Sequence, residues 1–406
     1  FHLSDWVSKD QYETIANSSN EQVLQWYEEA LHESVKLHLI SDAPLGVLYS
    51  AGLDSSLITA IASNYTSEKL SLFYFESDHQ NDIRFPKEFA NNFNTKLITS
   101  MGDDQNYIYK LPRMTYHYET INKGDGLILG NLCKLAQDNG FKSLLTGDSA
   151  DEIFGGQPFH SSFLTQSTYH HNKLFRNLYK AIQRFIPNTF LSYTGSDPVG
   201  THYFNFPTGI NFFEVPANCL LHGGNRLKEW QRCLNSYHFI EDQAKRDTLG
   251  YILDEVSFRL QRYMIRSDRF GMMESVEVRT PFLHPSVMKL AVNTPVNWLI
   301  KKKWMGTQFE KKHIVRKLAK KSGVPRKIIN RKKIGTPFDD SPAARILQKW
   351  KLKHLSDFLK IDSQTLRDIS LHSFDPALNR IQFSFLSTEI LARIFIDGES
   401  HEQITE

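Results

Sequence analysis

The stretch "LYSAGLDSSL", residues 48–57, decides the fold. The apolar residues leading into it, "PLGVLYS" (44–50), read as a short buried strand, and residues 54–63 read as a helix. The turn between them is stripped of bulk: Ser50, Ala51 and Gly52 precede Asp54, Ser55 and Ser56. A strand that ends in small residues and opens a helix is a place for an anion. Backbone N–H groups and the helix dipole favour negative charge there. Ala51 and Gly52 let the anion approach the backbone, and Ser50, Ser55 and Ser56 add hydroxyl donors. A phosphate, most simply the pyrophosphate part of a nucleotide, is the expected occupant. The stretch is not a Walker A loop, because no Gly-Lys-Ser/Thr follows. Asp54 would repel a phosphate unless a cation bridges them, and magnesium suits, since it takes one or two carboxylates plus phosphate oxygens. A plain strand-to-helix turn with Asp54 near a cap is the alternative.

Working outward, residues 21–37 place Val23, Leu24, Trp26, Tyr27, Ala30, Leu31 and Val35 at helical spacing, an amphipathic helix. "LSLFYFE" (70–76) and "TKLITS" (95–100) read as buried strands around a helical "FPKEFANNFN" (85–94). "LILGNLCKLAQDNG" (127–140) is a helix closed by Gly140, and "KSLLTG" (142–147) is a further strand. Strands alternating with helices predict a parallel sheet covered on both faces. The fold expected is α/β, a doubly wound parallel sheet followed by a mostly helical C-terminal portion. The domain reading is a linker-like segment over 1–20, an α/β core over 21–156, an irregular insertion over 157–235 and a helical continuation over 236–406. Within the last part, "QFEKKHIVRKLAKKSG" (308–323) reads as one helix, with Ile314, Val315 and Leu318 inward and the bases outward.

Composition bounds the partners. The chain has 406 residues and a formal net charge of +3, which does not mark a nucleic-acid binder. No window holds about 18 consecutive apolar residues, so no membrane span is expected. "FHLSDWVSKD" (1–10) lacks the layout of a signal peptide. Cys133, Cys219 and Cys233 are too scattered for a disulfide framework, so reduced thiols and a cytoplasmic location are the expectation. Cys133 reads as packing, and "YHH" (169–171) as a solvated loop rather than a metal site.

A second strand-end turn carries the argument further. "LLTGDSADEIFGG" (144–156) holds Asp148, Asp151 and Glu152 among small residues. Acids so close together at a strand end are costly unless a metal or a protonation change uses them. "SAGLDSS" resembles the pyrophosphate loop, Ser-Gly-Gly-x-Asp-Ser, of the N-type ATP pyrophosphatases. That loop alone is shared by many adenylating enzymes. Together with "LLTGDSADEIFGG", "SDRFGMMESVEVRTPFL" (267–283) and "NRKKIGTP" (330–337), in this order, the chain resembles the synthetase domain of the asparagine synthetases over roughly residues 20–340. β-Lactam synthetases and lasso-peptide cyclases are branches of the same superfamily. One departure is Ala51, where the loop usually has Gly; a positive φ there would cost about 1 kcal/mol.

The resemblance implies a sheet of the adenine nucleotide α-hydrolase kind. It also implies an enzyme that binds ATP and magnesium, adenylates a carboxylate with release of pyrophosphate, and passes the acyl group to an amine with release of AMP. Asp54 and Asp151 fall on the family's magnesium positions. Leu48 and the Thr146–Gly147 pair fall on positions lining the nucleotide pocket. Lys312 and Lys333 match lysines that meet phosphates or developing negative charge, and Asp148 falls where an acid is expected to take the amine's proton. Capping of its own turn is the alternative for Asp148. "FHLSDW" (1–6) resembles the linker after the glutaminase domain of glutamine-dependent members. A glutaminase domain or partner supplying ammonia is therefore one expectation, with free ammonia or an intramolecular amine as the others. Aspartate is the expected carboxylate. A tRNA-modifying enzyme and a non-catalytic scaffold are more remote readings. Glu277 and Arg279 read as a structural ion pair near the core rather than chemistry.

Overall fold

The computed structural model describes residues 2–76, 83–101, 107–121, 126–157, 160–161, 163–165, 167, 223–303, 309–331, 352–362, 364–366 and 376–405. They form two compact units, each assembled from three chain segments. The first comprises residues 1–37, 147–262 and 280–324, and the second residues 38–146, 263–279 and 325–406.

The second unit contains the sheet. Its strands are β1 (Leu45–Leu48), β2 (Ser71–Glu76), β3 (Lys96–Met101), β4 (Ser143–Leu145) and β5 (Glu277–Arg279). All pair in parallel, in the order β3-β2-β1-β4-β5. The expected α/β fold is therefore present. Val47, Leu72, Phe73 and Leu144 are fully buried, which explains why these strands read as apolar runs without alternation. The chain runs outward from β1 through β2 to β3, then returns to place β4 on the other side of β1. That reversal is a topological switch point, and in open parallel sheets ligands bind beside it, outside the carboxyl ends of the strands.

Helices Leu53–Ala62, Arg84–Asn92 and Gly126–Asp138 match the periodic segments of the sequence, and Gly140 has φ 83, as a left-handed helix end requires. Helix Tyr107–Tyr118 was not legible, because it carries Pro112 in its interior, where propensity predicts a break. C-terminal helices Lys353–Leu359 and Pro376–Phe395 complete this unit's core, with Leu355, Leu386 and Ile390 joining Phe73, Leu127 and Leu144. Cys133 lies in the same core, where burial pushes its thiol up to about 12, in keeping with a packing role.

Strand β5 is the unforeseen fifth strand. Arg279 Nη2 sits 2.8 Å from Glu277 Oε2, and Arg279 Nη1 donates to the carbonyls of His38 and Ile40 at 2.8 and 2.7 Å. The guanidinium is thus occupied in holding chain together, as the structural reading of this pair expects, but the expected place near the core is corrected: Glu277 is 58 % exposed, at the surface.

The first unit is largely helical. In helix Asn20–His38, Val23, Tyr27, Leu31 and Val35 face inward, and Tyr27 Oη meets Thr294 Oγ1 at 2.5 Å. The N-terminal stretch read as a linker carries a helix, Lys9–Asn17, and its Ser8 N–H donates to Asn293 Oδ1 at 2.6 Å. Within the stretch read as irregular, residues 223–235 are helical, and 168–222 fall outside the description, Cys219 and the "YHH" loop included. The single helix expected over 308–323 is corrected. Phe309–Lys311 is a strand, antiparallel to Ile300–Lys302, and the helix begins only at His313. Pairing with a segment a few residues earlier in the chain overrode local propensity there, and Lys312, at φ 53, makes the break. Ile314, Val315 and Leu318 are buried as expected.

Candidate active site

The predicted site residues divide between the two units. In the second unit, β1 delivers Leu48, buried at its end, into the turn Tyr49–Gly52. Gly52 is the N-cap of helix Leu53–Ala62, and its carbonyl accepts the first helical bond from Ser56 N–H at 3.1 Å. The first turn of any helix leaves its N–H groups without intrahelical acceptors. Here that turn sits at the carboxyl end of the strand beside the switch point, where an anion is best placed. Ser50 N–H donates to Ser55 Oγ at 3.2 Å, and the two hydroxyls lie 3.1 Å apart. Ser56 is buried, its hydroxyl donating to Tyr49 Oη at 3.3 Å, so Ser56 holds the turn to the core. Tyr49 stacks on Phe89 at 5.0 Å. Asp54 is half-buried in the first turn. Thr146, after the neighbouring strand β4, is buried and donates its N–H to the Arg279 carbonyl at 2.9 Å.

Ala51 has φ 53 and is fully buried. The costly alternative foreseen for this position is the one realised, since a methyl group in the left-handed region is strained by about 1 kcal/mol. Replacing Ala51 with Gly is expected to stabilise the protein by about 0.5 kcal/mol, the relieved strain less the added entropy of the unfolded chain. Urea midpoints of the two proteins check this, and a lower midpoint for Ala51→Gly would contradict it. Arg331 Nη1 donates to the Ala51 carbonyl at 3.2 Å, a contact from the "NRKKIGTP" stretch that spacing did not reveal. Lys333, two residues on, lies outside the described residues.

The remaining predicted residues belong to the first unit. Gly147 and Asp148 are half-buried, and Ser149, at φ 79, opens the short helix Ala150–Ile153. Asp151 Oδ1 lies 2.9 Å from Lys312 Nζ, with side chains 13 % and 8 % exposed. The sequence named both residues but not their pairing, because they are far apart in the chain. Gly156 makes the pair possible. A Cβ at that position would fall 2.1 Å from Asp151 Oδ1 and 2.9 Å from Lys312 Cδ, so only glycine fits. Glu152 is buried and accepts a 2.6 Å hydrogen bond from Gln157 Nε2. Burial first, then the charges of Asp151 and Glu255, hold its carboxyl above the usual range.

Seven non-glycine residues have left-handed φ among the described residues, and Ala51, Ser149 and Lys312 are three of them. Such strain persists where surrounding structure over-determines it, and it gathers at ligand clamps and active sites. Among the described residues no group of three or more His, Cys, Asp or Glu could hold a metal ion. Magnesium on a nucleotide does not require one, since one or two carboxylates with phosphate oxygens and water suffice. Asp54 in the second unit and Asp151 in the first are each a carboxylate of the kind such an ion takes, and Asp151 is here paired with Lys312. No described helix is long and apolar enough to cross a membrane.

A parallel sheet with a small-residue turn and a helix start at its switch point is a nucleotide-binding α/β architecture. A family model described as Asparagine synthase matches residues 27–402, and the chain belongs to that family. Among curated proteins it is similar to asparagine synthetase [glutamine-hydrolyzing] 1 of Bacillus subtilis (strain 168), 26 % identical over 320 residues, 76 % of this chain and 48 % of that protein. Asparagine synthetase B [glutamine-hydrolyzing] of Escherichia coli (strain K12) is 30 % identical over 176 residues, 38 % of this chain and 30 % of that one. The chain thus spans about half the length, or less, of these relatives.

Proposed function

We propose that this chain is an ATP-dependent amide-forming ligase. A carboxylate oxygen of the acceptor, aspartate in the first instance, attacks the α-phosphorus of ATP. The bond to the β-phosphate breaks, and pyrophosphate leaves. An amine then attacks the acyl carbon, the bond to AMP breaks, and the nitrogen gives up a proton. The observation that carries this reading is the turn Tyr49–Gly52, which opens a helix at the carboxyl end of β1 beside the sheet's switch point. Family membership supports the adenylating chemistry.

In this reading Ser50, Ala51, Gly52 and Ser55 form the pyrophosphate cradle, Ser56 holds its turn to the core, and Leu48, Thr146 and Gly147 line the nucleotide pocket. Asp54 and Asp151 hold magnesium, which neutralises phosphate charge when bound. Lys312, paired with Asp151 in this structure, is assigned to meet a phosphate, and Asp148 to take the proton of the attacking amine. Lys333 is assigned the charge that develops in the transition state, from its place in the family motif alone. The relatives are named as glutamine-hydrolysing, so ammonia released from glutamine by a glutaminase domain or partner is the amine proposed.

Aspartate-dependent exchange of labelled pyrophosphate into ATP tests the reading, with amide formation from added ammonium as the second measurement. Exchange that does not respond to aspartate would remove aspartate as the acceptor. No exchange with any carboxylate would remove the ligase.

A further inference from the structure

The segment that carries Asp151 ends, nine residues later, in a buried polar pair that the proposed chemistry does not use. His160 Nε2 meets the Glu255 carboxylate, and the two side chains are 0 % and 2 % exposed. So deep a pair is not an obvious source of stability, since apolar residues of similar volume often serve as well. Its setting is also unusual. Glu255 opens a single π-turn, Glu255–Arg259, between helices Gln243–Asp254 and Leu260–Met273, and Leu260 N–H bonds back to the Glu255 carbonyl. Turns of this kind inside α-helices recur at functional sites, where the extra residue re-aims a side chain.

From His160 a line of hydrogen bonds leads back to the acids. His160 N–H donates to the Gln157 carbonyl at 3.2 Å, Gln157 Nε2 donates to Glu152 Oε1 at 2.6 Å, and Gly156 N–H donates to the Asp151 carbonyl at 2.7 Å. On its other side the His160 ring meets Tyr251 edge-on at 5.9 Å, and Phe163 stacks on Tyr251 at 4.6 Å. These residues belong to the first unit. The segment is thus clamped twice, by Lys312 at Asp151 and by Glu255 at His160.

We propose that His160 and Glu255 are a positioning pair, which fixes the far end of the segment 151–160 so that the acids at its start keep the geometry amide formation needs. The proposal rests on the ligase reading above. Reacting and charge-bearing groups must be held to about 0.5 Å, and a misplacement of about 1 Å can cost roughly a hundredfold in rate.

The test replaces the pair by apolar residues, His160→Phe with Glu255→Leu, so that no charge is stranded. The double variant is expected to melt within a few degrees of the wild type and to keep its ATP KM, while kcat for AMP release falls at least about tenfold. Glu255→Gln keeps the hydrogen bond to His160 and is expected to retain most of the turnover. Wild-type kcat in the double variant, or a Glu255→Gln enzyme as impaired as the double, would overturn the proposal. Should the double variant fail to fold, Glu255→Asp replaces it, shortening the reach by one methylene; a tenfold loss is expected, and full turnover overturns. Hydrogen exchange over residues 151–160 gives a readout independent of catalysis. It should quicken in the double variant at unchanged melting temperature, and unchanged protection overturns the pinning. A wild-type protein without ATP–pyrophosphate exchange would instead sink the ligase reading, leaving hydrogen exchange to decide the pair's role.

Discussion

Asp54→Ala and Asp151→Ala each lower ATP–pyrophosphate exchange by at least about a hundredfold, the largest loss expected of any single substitution here. Each removes a carboxylate proposed to hold magnesium, leaving triphosphate charge uncompensated. The sequence alone predicts that both variants keep the fold, and the structure separates them. Asp54 is half-buried in the first turn of its helix, an acid at a helix start, and its loss should cost well under the total stability. Asp151 is the partner of Lys312, a lysine only 7 % exposed. Breaking a buried pair from one side costs about 3 kcal/mol, so Asp151→Ala should also melt earlier. Lys312→Met with Asp151→Asn removes both charges and should recover the melting temperature without recovering exchange. Calorimetry and pyrophosphate exchange on the same preparations separate the two effects. Near-normal exchange by either alanine variant at saturating magnesium would end the metal assignment.

Asp148→Asn should divide the reaction instead of abolishing it. The adenylate still forms, and pyrophosphate still exchanges. Amide product falls by roughly a hundredfold, the upper part of the range for losing a positioned proton acceptor being larger still. An uncharged amine becomes positive as it attacks the acyl carbon, and a nearby carboxylate both stabilises that charge and accepts the proton. Asp148 stands half-buried just before Ser149, whose left-handed φ of 79 opens the helix bearing Asp151. If Asp148 only capped this turn, exchange, amide yield and melting temperature would fall together. Measuring all three on one preparation decides between the roles, and wild-type amide yield from Asp148→Asn would end the proposal.

Much of this molecule is legible from its sequence, for a physical reason. Strands buried on both faces must be apolar throughout, so "GVLY", "SLFYF" and "SLL" announce themselves. Their alternation with helices admits few topologies. The turn at Ser50–Gly52 is local chemistry: small residues, a strand before and a helix after. The segment carrying Asp148 and Asp151 could be read in the same way. The tertiary structure alone decided what depends on residues far apart in the chain. It made Glu277–Arg279 a fifth strand, because a three-residue edge strand is defined by the neighbour it bonds and not by its own pattern. Through a nearer pairing, with Ile300–Lys302, it turned Phe309–Lys311 from helix to strand. It gave Ala51 a positive φ, a backbone state no side chain advertises. It also joined Lys312 to Asp151, and Glu255 to His160, pairs whose members lie 161 and 95 positions apart. Polar pairing over such separations follows from where the folded chain carries each residue, and composition and period hold no record of that.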